Sequence, residues 1–118
     1  MKEEGDLRER TKRFALQIIR LVQSLPKTME ARTIGKQLLR SGTSVGANYR
    51  EACRGRSKPE FTSKCGECLR ELDESAYWLE LLADGEIMAT GQLQPVHKEC
   101  EELIAIFVAS IKTARNNQ

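Results

Sequence analysis

Between Phe61 and Leu82 the chain places Phe61, Cys65, Cys68, Leu72, Ser75, Leu79 and Leu82 at alternating spacings of three and four residues. That is the period of a helix face that packs along the seam of a left-handed bundle. One helix cannot bury such a face alone, and three further stretches carry the same period. Leu7, Phe14, Ile18, Leu21 and Leu25 predict a helix over about 6–24, stopped by Pro26. Ile34, Leu38, Val45, Tyr49 and Ala52 predict a second over about 30–54. Leu93, Val96, Cys100, Leu103, Phe107, Ile111 and Ala114 predict a fourth over about 92–115, with Pro95 leaving its first turn open. The seam helix itself, over about 58–83, opens on Ser57-Lys58-Pro59-Glu60, a capping box in which Ser57 accepts from the first turn and Glu60 reaches back. Gly55 and Asp84-Gly85 mark the ends of helices two and three.

The fold class is therefore all-α, and with 118 residues the chain fits one domain. Only 5% of residues are aromatic and three are proline, which argues against a β-sandwich. Short connections make consecutive helices antiparallel, so the expected architecture is an up-down-up-down four-helix bundle. Ile104, Ile106 and Val108 widen the apolar surface of the last helix beyond one stripe. A helix apolar on more than one side calls for a second partner, and the expected use is a homo-oligomer.

The stretch GTSVGANYREA at 42–52 offers two readings, a glycine-rich phosphate loop or a helix whose glycines admit a close neighbour. The phosphate loop needs two glycines around four residues, followed at once by lysine and a hydroxyl. Here Gly42 and Gly46 flank three, Ala47 stands where lysine should, and the preceding KQLLR forms helix. Gly42 falls in the apolar stripe of helix two, and a mid-helix glycine there marks a tight crossing.

The net charge of +2 conceals a strong division. Residues 32–70 hold nine Lys and Arg against three Glu, whereas residues 71–102 hold one Lys against nine acids. The first segment attracts polyanions and the second repels them. On helix two, Lys36, Arg40, Thr43, Ala47, Arg50 and Arg54 share the face opposite the apolar stripe, a row about 27 Å long at the helical rise. With Arg56 and Lys58 in the following loop, this row is the candidate nucleic-acid surface, because phosphates are held by such rows without catalytic groups. A solvated helix face has the same pattern, and the residues alone leave both readings open. Ser41, Ser44, Asn48 and Glu51 lie between the two stripes as a polar flank able to bond a neighbouring helix, and ordinary surface polarity reads the same way.

Candidates for chemistry are few. Cys65 and Cys68 form one C-x-x-C without a second pair, and both lie on the core seam, which favours buried thiols over a zinc or redox site. His97 is the only histidine and has no nucleophile patterned around it, so it reads as a surface or boundary residue. Glu71 and Glu74, one helical turn apart, read as partners of a basic helix rather than as a catalytic acid and base. No cofactor or metal is expected. The start of the chain, KEEGDLRERTKR, is charged, and the longest apolar run, LIAIFVASI at 103–111, is about half a membrane span. A cytoplasmic protein with reduced cysteines is expected.

Two long motifs, LRSGTSVGANYREACRGRSKPEF at 39–61 and LRELDESAYWLELL at 69–82, resemble the four-helix-bundle family encoded in intervening sequences of bacterial 23S ribosomal RNA genes. The family's Arg-Ser-x-x-Ser-x-x-x-Asn pattern falls on Arg40, Ser41, Ser44 and Asn48. Its Glu-x-x-Glu-Ser/Thr-x-x-Trp pattern falls on Glu71, Glu74, Ser75 and Trp78. The resemblance implies a bacterial cytosolic protein without catalysis, often a homopentamer, in which Ser44, Asn48, Glu71 and Glu74 form a structural polar network and Arg40 is drawn toward the two glutamates. The related accessory proteins of diversity-generating retroelements are basic pentamers that bind nucleic acid and associate with a reverse transcriptase. By that analogy the expected ligand is RNA or DNA. The alternative is an oligomeric scaffold that binds a protein partner.

Overall fold

The structure, a computed structural model, describes residues 2–116, with side chains from Leu7 onward. It contains four helices and, among the described residues, no strand: α1 (Lys2–Gln23), α2 (Met29–Cys53), α3 (Lys58–Asp84) and α4 (Thr90–Asn116). They lie side by side in a body of 47 × 20 × 19 Å. Consecutive helices pack against each other and α1 returns to α4, the thinnest of these contacts, while the backbones of α2 and α4 sit apart on a diagonal. Tyr49 on α2 bridges that diagonal to Phe107 on α4 in a T-shaped ring contact, with ring centroids 5.6 Å apart.

Local signals set the ends of the helices. Thr28 caps α2, its hydroxyl accepting from the Ala31 N–H at 3.2 Å. Ser57 caps α3 by accepting from the Glu60 N–H, and Glu60 reaches back as a capping box requires but accepts from the Arg56 N–H at 2.6 Å, one residue before the cap. Arg54 is the C-cap just beyond the end of α2 at Cys53, and Gly55 follows without a left-handed backbone. Asp84 does end α3, but the left-handed position in the turn beyond it belongs to Glu86, with φ of 56°. The first helix starts earlier than its apolar pattern, at Lys2 instead of about residue 6. The fourth starts at Thr90 instead of about 92, with Pro95 inside it. Proline at the sixth position removes one N–H bond to the Gly91 carbonyl, and Gly91 is exposed, where losing that bond costs less than it would in the core.

The core holds Phe14, Ile18, Leu38, Val45, Cys65, Leu72, Leu79, Leu103 and Phe107, each at most 1% exposed. Several seam positions differ from expectation, with Ile111 and Ala114 of α4, expected to face inward, only half-buried. Thr62, rather than Phe61, enters the core at the start of α3, and Phe61 is half-buried. Gly35 is buried while Ile34 is half-buried, because α2 meets α1 along a row of small residues. Leu25 lies beyond the end of α1 and is half-buried. Thr11, a polar residue between Leu7 and Phe14, is fully buried, its hydroxyl donating to the Leu7 carbonyl at 2.7 Å.

Gly35, Gly42 and Gly46 all face α1. A Cβ at Gly42 would come 2.8 Å from Ile18 Cγ1, one at Gly46 3.2 Å from Thr11 Oγ1, and one at Gly35 3.0 Å from Leu25 Cδ1. The stretch at 42–52 is helix throughout, and its glycines admit α1 at close range.

Candidate functional site

The α2 face opposite the core presents Lys36, Arg40 and Arg50 to solvent, the connection to α3 adds exposed Arg54 and Arg56, and Lys58 stands exposed at the start of α3. The helix fixes this arrangement: Leu38, Val45, Tyr49 and Ala52 are buried, so residues half a turn away point outward. Among the described residues, the side chains of Lys36, Arg50, Arg54 and Arg56 make no hydrogen bond or ion pair.

Arg40 differs from the rest of the row. Its guanidinium donates from Nη1 to Glu71 Oε1 at 3.2 Å, from Nη2 to Glu74 Oε2, and from Nε to Gln37 Oε1 at 3.4 Å. Glu74 also accepts from the Trp78 indole N–H at 3.0 Å. The indole first, and the Arg40 charge after it, hold the Glu74 carboxyl below the usual carboxylate range. The same two carboxylates make Arg40 hold its proton more firmly. Glu71 and Glu74 thus tie α3 to the basic face of α2, and their charge is spent on one arginine. A second tie lies nearer the end of α2, where Lys64 reaches Glu51 at 2.8 Å and Glu67 at 3.5 Å.

The polar flank of α2 divides by depth. Ser41 is buried and shares a 2.7 Å hydrogen bond with Ser75 of α3. Ser44 donates to the Arg40 backbone carbonyl of its own helix at 2.6 Å, and half-buried Asn48 makes no hydrogen bond among the described residues. The Ser41–Ser75 pair is the buried side-chain to side-chain link between α2 and α3 among the described residues, with the Arg40 cluster above it at the surface.

The cysteines are free thiols. Cys65, Cys68 and Cys100 are buried, with Cys68 Sγ 3.5 Å from the Val45 carbonyl and Cys100 Sγ 3.3 Å from the Leu72 carbonyl. Burial pushes the Cys65 and Cys100 thiols up to about 12 and Cys68 higher still. Among the described residues no three His, Cys, Asp or Glu side chains gather as metal ligands. His97 is half-buried, with Nε2 3.7 Å from Glu101 Oε1 one helical turn on. No helix among the described residues is long and apolar enough to cross a membrane.

One cationic surface escaped the sequence reading. Arg13, Arg20 and Lys98 line a cleft between α1 and α4, the side of the bundle away from α2 and α3. The signal was present in Arg10, Arg13, Gln17 and Arg20, which recur at spacings of three, four and three. Beside the apolar stripe of α1 it passed for ordinary surface charge.

No curated protein matches the chain. A solved structure of a protein of unknown function from the S23 ribosomal protein family of Bacteroides thetaiotaomicron VPI-5482 is similar. Its TM-score is 0.86 and its identity 34%, over 95% of this chain and 99% of that one. Neither that protein nor the matching family is described as an enzyme. The profile of the 23S rRNA-intervening sequence proteins matches residues 3–109, and the chain belongs to that family.

Proposed function

We propose that this chain is a non-enzymatic nucleic-acid-binding protein of bacterial cytoplasm, built as an antiparallel up-down-up-down bundle and assembled as a homo-oligomer, with a pentamer favoured. The observation that carries the binding reading is the row of exposed cations at Lys36, Arg50, Arg54 and Arg56, whose side chains have no partner among the described residues. Where a carboxylate was within reach, at Arg40, the charge is neutralised; at Lys36, Arg50, Arg54 and Arg56 it stays available to phosphates. Exposed Lys58 extends the row at the start of α3.

The antiparallel arrangement is supported by residue pairs that run in opposite directions. Thr11, Ile18 and Leu25 meet Gly46, Gly42 and Gly35, and Ser41, Val45 and Glu51 meet Ser75, Cys68 and Lys64. Oligomerisation is supported by Val108, 49% exposed on α4 on the same face as half-buried Ile104, with half-buried Ile106 on another face of the helix. A ring would repeat the basic row and multiply a weak single-site contact. By the family analogy, a reverse transcriptase is the protein partner to try first.

Titration of labelled RNA and duplex DNA, at two salt concentrations, against the wild type and an Arg50→Ala/Arg54→Ala double variant tests the binding reading. Expected is salt-sensitive binding by the wild type, with the salt slope on duplex DNA reduced by about one for each contact removed. An unchanged affinity and slope in the double variant would leave the row a solvated face. The scaffold reading, favoured by the exposed apolar residues of α4, would then stand. Light scattering gives the assembly mass, and 13.4 kDa at tens of micromolar would overturn the oligomer.

A further inference from the structure

The cleft between α1 and α4 has a volume of about 800 Å³ and is open to solvent along its length. Its position follows from the polar edge of α1. Arg10, Arg13, Gln17 and Arg20 face Pro95, Lys98, Glu99 and Glu102 where an apolar seam would otherwise close the bundle. Positions flanking a helix seam ordinarily carry opposite charges that pair across it. Here they pair at one end alone: Arg10 donates from Nε and Nη2 to the two Glu99 oxygens, both at 2.8 Å, and from Nη2 to Glu102 at 2.6 Å. Arg13, Arg20 and Lys98 have no partner among the described residues, yet they line one cleft. Like charges gathered in a concavity repel, and the local field concentrates counter-ions there.

We propose that this cleft holds the phosphodiester backbone of single-stranded nucleic acid, as a second contact distinct from the α2 row. The proposal rests on the nucleic-acid reading above and names the form of ligand that reading leaves open. Arg13 and Arg20 stand two helical turns apart, about 10 Å at the helical rise, with Lys98 across the cleft, so the cations are spread along a strand rather than focused on one ion. The site is a groove between two neighbouring helices, whose axes pack about 8–10 Å apart, a spacing that suits one strand rather than the bulk of a duplex. Half-exposed Leu16 and Pro95 supply an apolar lining for a sugar or base face, and no aromatic side chain lines the cleft. Without a stacking platform or a base-reading fork, binding there is independent of sequence.

The test uses the full-length protein and three labelled probes: a single-stranded RNA oligonucleotide, a duplex of the same sequence, and a polyglutamate of similar charge. They are titrated against the wild type, an Arg13→Ala/Arg20→Ala/Lys98→Ala variant, and the Arg50→Ala/Arg54→Ala variant. All five substituted side chains are exposed, and circular dichroism checks that each variant keeps its helices. Expected is single-strand affinity reduced at least tenfold in the triple variant, with the salt slope smaller by about 2 for three contacts, and duplex affinity within twofold of wild type. Equal loss on duplex and single strand, wild-type single-strand affinity in the triple variant, or polyglutamate binding as tight as RNA each overturns the cleft. In those cases loss in the Arg50/Arg54 variant keeps the α2 reading standing. Absence of binding by the wild type to any nucleic acid overturns both.

Discussion

Ile18 of α1 lies against Gly42 of α2 so closely that a methyl group on the glycine would sit 2.8 Å from its Cγ1 and 3.2 Å from its Cβ. Ile18 is fully buried and branched at Cβ, so it cannot swing aside as the end of a longer chain would. Alanine at position 42 gains about 1 kcal/mol in helix propensity but overpacks a core contact, which costs about 1–3 kcal/mol. Gly42→Ala is expected to destabilise the protein. At Gly66 a methyl meets nothing within 4 Å, and Gly66→Ala is expected to stabilise by about 0.5–1 kcal/mol. Chemical denaturation of both variants beside the wild type measures the contrast. Equal effects of one sign would show that the α1–α2 approach is looser than described.

Trp78 is the only tryptophan, and its indole donates to Glu74. Its fluorescence therefore reports protonation of that carboxylate. The Glu74 carboxyl lies below its ordinary value in the fold, so its contribution to stability is fully present above the unfolded carboxylate value. It is lost as pH falls through the lower, folded one. An acid titration should show a Trp78 transition centred below the ordinary glutamate value, and Glu74→Gln should abolish it. Arg40→Ala should move the midpoint upward. A midpoint at or above the ordinary value would contradict the Arg40–Glu74–Trp78 arrangement.

Thiol chemistry separates the four cysteines. Cys65, Cys68 and Cys100 are buried with thiols pushed far up, so at pH 8 they carry almost no thiolate, while Cys53 is half-buried. Native protein should react with a thiol reagent at one site per chain, and all four should react in denaturant. Mass mapping should find the native label on Cys53. Rapid labelling of Cys68 would mean that α3 opens far more readily than its packing implies.

The α3 seam was legible because every one of its core positions except Thr62 and Ser75 is apolar or a thiol, and the period does not break between Cys65 and Leu82. Thr11 was not, because a hydroxyl that bonds its own helix carbonyls looks, in sequence, like any surface threonine. Pro95 masked the start of α4 for a related reason. A proline reads as a helix break, and what permits it is the exposure of Gly91 one turn earlier, which no local pattern announces. At the candidate site, the outward direction of Lys36, Arg50 and Arg54 follows from the wheel. The different fate of Arg40, which the family resemblance implied and the wheel alone did not, depends on Glu71 and Glu74 arriving from α3, 31 and 34 residues away. The α1–α4 cleft needed two helices in place before its charges could be seen to converge.

Arg10 is the principal polar tie between α1 and α4, whose contact is otherwise the thinnest between neighbours. Its fork grips Glu99 with two 2.8 Å bonds and Glu102 with a third, and both Arg10 and Glu99 are about four-fifths buried. Charge-assisted, partly buried bonds of this kind contribute about 1.5–3 kcal/mol where a surface pair gives less than about 1. Removing the arginine also leaves Glu99 and Glu102 to repel each other. Arg10→Ala is therefore expected to cost about 1–2 kcal/mol, and Arg10→Lys to recover little of it, because an ammonium cannot replace the fork. The loss should be local. Hydrogen exchange in the first half of α1 and around residues 96–103 of α4 should quicken, while the α2–α3 pair, held by Ser41–Ser75 and Lys64–Glu51, keeps its protection. Uniform quickening across all four helices, or full rescue by lysine, would show that the fork is not what fixes α1 to α4.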